Sequence, residues 1–109
     1  MTITYKVLGQ INPTANTATT LYTVPSVTST VVSTIAICNQ ANTAATFRLA
    51  VQPANITLAA KHYLNFDTQL PPNDTITLTL GITLATTDVI SANASTSTVS
   101  FSAFGSEIS

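Results

Sequence analysis

At 109 residues, with an apolar share of 45% and a net charge of −1, the chain is sized for one domain, 1–109, and is not a disordered polymer. Three Lys and Arg cannot neutralise a row of phosphates, which excludes nucleic acid, and no apolar run approaches the roughly 20 residues that span a bilayer. Charged residues make up only 6% of the chain, against about 25% in ordinary soluble domains, and 22 Thr and 10 Ser take the polar positions.

A Thr-covered, weakly charged surface has little protection against association, and suits a protein covered by neighbours. The opening MTITYKVLGQ has no charged segment leading into an apolar one, so no signal peptide is expected.

Side-chain alternation has a period of two nearly everywhere, which predicts strands. Thr2 to Leu8 places Ile3, Tyr5 and Val7 on one face. Asn12 to Thr20 reads as a mobile or extended arm, and Thr19 to Val24 as a short strand stopped by Pro25. Thr30 to Cys38 sets Val31, Ile35 and Ile37 on one face and Val32, Ala36 and Cys38 on the other. Being apolar on both sides, it is expected at the centre of a sheet or against a partner. Thr46 to Val51 points Phe47, Leu49 and Val51 inward and Arg48 outward.

His62 to Phe66 is a further strand. The clearest is Asp74 to Leu84, where Ile76, Leu78, Leu80, Ile82 and Leu84 alternate with Thr75, Thr77, Thr79 and Thr83. Gly81 marks a bulge, bend or turn within it. Asp88 to Ala94 and Thr98 to Phe104 complete the set. Pro- and Asn-rich turns separate these runs, as at Pro25-Ser26, Pro53-Ala54-Asn55 and Pro71-Pro72-Asn73-Asp74. Seven to nine short strands predict an all-β, antiparallel β-sandwich of jelly-roll or immunoglobulin-like type.

No residue pattern points to catalysis, a cofactor or a metal. Cys38 lies in VVSTIAICN and reads as a buried free thiol; His62 reads as a strand histidine with a local hydrogen bond. Asp67, Asp74 and Asp88 flank turns, where Asp caps the backbone rather than binding Ca²⁺. Asn55-Ile-Thr, Asn73-Asp-Thr and Asn93-Ala-Ser match a glycosylation pattern by chance in so Thr-rich a chain. Phe101 and Phe104 have opposite parity, so one of them points away from the core.

The segments TYKVLGQ, LYTVP, VVSTIAICN, FRLAVQP, KHYLNFD, LTLGITLATTDVI and VSFSAFGSEI together resemble small virion structural proteins of tailed bacteriophages, cyanophages among them. The likeness spans nearly the whole chain and includes no active-site signature. It implies a non-enzymatic capsid decoration (cement) protein, a homotrimer bound to the major capsid protein on the outer capsid surface of the virion and made in the bacterial host cytoplasm. A tail, neck or fibre-adaptor subunit bound to tail or fibre proteins is the alternative. A receptor- or glycan-binding module is disfavoured by 6% aromatics and no Trp.

Overall fold

The computed structural model describes residues 1–79 and 81–109. Among the described residues nine strands run as β1 (Ile3–Ile11), β2 (Thr19–Thr23), β3 (Ser29–Asn39), β4 (Ala45–Gln52), β5 (Tyr63–Leu70), β6 (Thr75–Leu78), β7 (Ile82–Leu84), β8 (Val89–Ala94) and β9 (Val99–Ile108). Two short 3-10 turns, Pro53–Asn55 and Ala60–His62, interrupt the β4–β5 connection.

The strands form two antiparallel sheets. The first has the order β1-β9-β3-β6, with β7 also on β3, and the second β2-β8-β4-β5. The pairs β1 with β9, β2 with β8, β3 with β6 and β7, and β4 with β5 are nested, like rungs of one long folded hairpin. Rolling that ribbon brings β9 onto β3 and β8 onto β4. This is the winding of a jelly roll. An immunoglobulin-like sandwich is ruled out, because it would pair the first two strands within one sheet, whereas β1 and β2 lie in different sheets.

The core fills the space between the sheets. Phe47 on β4 meets Phe101 on β9 edge-on, with ring centroids 6.2 Å apart, and Ile35, Ile37, Leu49 and Leu70 are sealed around them. Strand β3 lies between β9 and β6/β7, at the centre of its sheet. Phe101 is the inward member of the Phe101/Phe104 pair.

One irregularity reorganises the first sheet. The ladder between β3 and β9 slips between Val32 and Thr34, leaving Ser33 as an extra residue. The ladder between β1 and β9 slips between Val7 and Gly9. The break between β6 and β7 falls opposite Ser33, since Ile82 pairs with Val32 and Leu78 with Ile35. These slips line up as a crease across the sheet beside Phe104 and Gly105. A Cβ on Gly105 would lie 2.1 Å from the Val31 carbonyl oxygen, so only glycine fits.

The crease corrects the expected facing of β3. An extra residue exchanges the two faces of a strand. Val32, not Val31, therefore joins Ile35 and Ile37 in the core, and Val31 is exposed. Cys38 falls on the outer face opposite Ser100 and Thr75 and is half-buried rather than buried.

Other expectations shift locally. The strand expected over Asp74 to Leu84 is two strands, separated around Gly81, which has φ +63. Inward Ile76, Leu78, Ile82 and Leu84 follow the expected parity, and Leu80 lies outside the described residues. Residues 12–18 are not an arm: Asn12 Nδ2 donates to the Ser97 and Val99 carbonyls at 2.9 and 2.8 Å, and Asn16 N–H donates to Ala94 O at 2.7 Å.

Candidate functional site

His62 is not in a strand; it closes the second 3-10 turn, buried, with Nδ1 accepting the Ala59 N–H at 2.9 Å. Asp88 holds two turns together, accepting Ala54 N–H at 2.8 Å and Ala85 N–H at 2.9 Å. Asp74 accepts the Thr75 N–H. Asp67 departs from the expected capping role. It adopts φ 52 within β5 and receives a two-pronged contact from Arg48, at 2.7 and 3.1 Å. Among the described residues no three His, Cys, Asp or Glu gather as metal ligands, and no helix is long and apolar enough to cross a membrane.

Two outer surfaces remain. On the second sheet, Arg48 lies 3.9 Å from the centroid of the exposed Phe66 ring, which meets Tyr63 edge-on at 5.0 Å. The guanidinium holds the Asp67 carboxyl below its usual range, and its own hold on its proton rises in return. The pair thus neutralises itself. A polar cleft of about 260 Å³ beside it is lined by Asn16, Thr46, Asn93 and Ser95 as well as the ion pair.

The outer face of the first sheet is different in kind. Edge strand β1 points Ile3, Tyr5 and Val7 outward, and Tyr5 is 82% exposed. Val31 on β3 and Phe104 on β9 stand on the same face, because Val31 pairs with Ser106, which faces Tyr5, and Phe104 pairs with Val7. Tyr5, Val31 and Phe104 line a shallow depression of about 340 Å³, together with Lys6, Ser33, Gly105 and Ser106. The alternate β1 positions turn inward: Thr4 stands opposite Glu107, and Lys6 Nζ donates to Glu107 Oε1 at 3.0 Å.

Glu107 also ties this edge to the other sheet. Its Oε2 accepts the Tyr22 hydroxyl proton at 2.5 Å, and that hydroxyl lies 2.8 Å from Thr30 Oγ1. Burial pushes the Tyr22 phenol up to about 12, with the Glu107 hydrogen bond adding to the effect. The Tyr22 and Lys6 bonds hold the Glu107 carboxyl below its ordinary value. Lys6 borders the depression and is 43% exposed, but its ammonium is paired with Glu107, so the outer face carries no unpaired charge among these residues.

The opposite parity of Phe101 and Phe104 put one of them outside without saying which, and gave no sign of the patch around Phe104. Alternation alone groups Ile3, Tyr5 and Val7; that they face outward follows from the pairing of β1 with the last strand, which alternation does not encode. Comparison with protein-family models, with curated proteins and with solved structures found no match.

Proposed function

We propose that this chain is a virion structural protein of a tailed bacteriophage, and within that class a decoration protein that packs on the major capsid lattice. The observation that carries the reading is the apolar face of Ile3, Tyr5, Val7, Val31 and Phe104, whose bordering cation, Lys6, is neutralised by Glu107. Apolar surface of this kind gains free energy when covered, at about 25 cal/mol per Å². Contiguous exposed patches on a soluble domain mark interaction surfaces. The near-absence of charge elsewhere adds no repulsion between copies packed side by side on a capsid. The sequence resemblance supplies the virion context, and the jelly-roll winding, which recurs in viral capsid proteins, supports it by analogy of fold alone.

The decisive measurement is the copy number of this chain in purified particles. Decoration of an icosahedral head predicts hundreds of copies, on the order of one per capsid subunit. A count of about six to eighteen, matching tail or neck symmetry, would overturn the head assignment and select the adaptor reading. Replacing Phe104 with Asp is expected to abolish rebinding to stripped particles while leaving the melting temperature nearly unchanged.

A further inference from the structure

We infer that the open edge of β1 is a pairing site for the same strand of a second copy, joined antiparallel about a two-fold axis through Tyr5. Four strand edges are open in the two sheets, and three are blunted. Strand β2 has only five residues, with a register slip between Thr20 and Tyr22. Strand β5 is distorted at Asp67, which has a positive φ. The β6/β7 edge is short and broken around Gly81. From Ile3 to Val7, by contrast, β1 keeps one unbroken register, with no proline and no left-handed residue.

The backbone shows which groups are free. Thr2 and Ser109 exchange both of their hydrogen bonds, at 2.6 and 2.9 Å. In an antiparallel ladder such pairs alternate, so Thr4 with Glu107 and Lys6 with Gly105 are the next two. The N–H and C=O groups of Ile3, Tyr5 and Val7 therefore point to the open side. Another strand is the partner that satisfies such a row.

Charge and register select a second copy as that strand. With Tyr5 opposite Tyr5, Ile3 falls opposite Val7 and Val7 opposite Ile3, pairing all three free residues of each copy. Lys6 falls opposite Thr4, so no like charges are directly opposed, and each Lys6 is already neutralised by its own Glu107. A two-fold axis normal to the sheet keeps both apolar outer faces on one side, so the aromatic and branched side chains pack across the seam. The paired stretch is about 17 Å long, which places the contact in the weak class below standard interfaces. A two-fold contact closes after two copies; on a particle it links neighbouring oligomers and does not build a trimer. The inference stands independently of the virion reading.

The test uses the purified chain. Sedimentation from about 10 µM to about 1 mM is expected to show a monomer–dimer equilibrium, the range proper to a small interface. Tyr5→Pro removes an outward N–H without removing a bond to β9, and is expected to weaken dimerisation at least about tenfold. Should that variant not fold, cross-linking in a Cys38→Ser background decides instead. Tyr5→Cys is expected to oxidise to a covalent dimer, Ile3→Cys alone is not, and Ile3→Cys mixed with Val7→Cys is expected to form the mixed dimer. A chain that stays monomeric throughout overturns the inference. So does a folded Tyr5→Pro variant that dimerises as before, or Ile3→Cys that links to itself as readily as Tyr5→Cys.

Discussion

Replacing Glu107 with Gln tests the tie between the β1 edge and the second sheet. The carboxylate accepts from Tyr22 and Lys6, and its own side chain is only 15% exposed. A hydrogen bond to a charged group contributes about 1.5–3 kcal/mol, and a neutral amide acceptor retains roughly half of that. The Tyr22 contact should thus lose about 1 kcal/mol. Lys6 is 43% exposed, so its contact behaves as a surface pair and loses about 0.5 kcal/mol. An unfolding entropy of about 2.1 cal/mol/K per residue turns that sum, about 1.5 kcal/mol, into a drop in melting temperature of about 7 °C at neutral pH. The sign with pH follows from the direction of the shift. Glu107 is held below its ordinary 4.5, so its contribution is complete above that value and disappears as pH falls through the lowered folded value. Melting by circular dichroism should therefore show the gap between wild type and Glu107→Gln closing from about pH 5 to about pH 2. Because Asp67 and the other carboxylates are common to both proteins, they cancel in the difference. A variant melting within about 2 °C of wild type at neutral pH, or a gap that persists in acid, would refute the tie.

Phe101→Ala empties the centre of the core and removes the edge-on contact with Phe47; a loss of about 3–5 kcal/mol in denaturant unfolding is expected, and under about 1 kcal/mol would contradict the packing described. Gly105→Ala forces the Val31 carbonyl away from the crease and should cost about 1–3 kcal/mol in the same assay; a neutral outcome would mean that the close approach there is not tight.

Much of the fold is legible from alternation. Phe47 and Leu49 inward with Arg48 outward, or Ile76 and Leu78 against Thr75 and Thr77, need only a period of two and a preference for burial. The crease at Ser33 was not legible, because a single extra residue carries no compositional mark. Alternation therefore grouped Val31 with Ile35 and Ile37, where the structure puts Val32. Strand β9 also runs on through Gly105-Ser106-Glu107 to Ile108, residues with poor strand preference that are held by β1 on one side and β3 on the other. The candidate surface was still less legible. It is assembled from β1, β3 and β9, and their adjacency comes from pairing over nearly the whole chain. The Arg48–Asp67 pair needed the left-handed turn at Asp67 to bring residues of neighbouring strands together.

The nesting of the strand pairs has a consequence for biosynthesis. Ile3 pairs with Ile108 and Ile11 with Phe101, so β1 is assigned its place by β9, which is made after all the strands between them. The tip of the ribbon, β4 with β5, closes over residues 53–62 and is available early, whereas the outermost rung must close across all the strands between β1 and β9 against chain entropy. Until β9 leaves the ribosome, the segment from Ile3 to Val7 waits without a mate on either side. Nascent chains crowded on one message are then most prone to capture one another through that stretch, before each has finished its own roll.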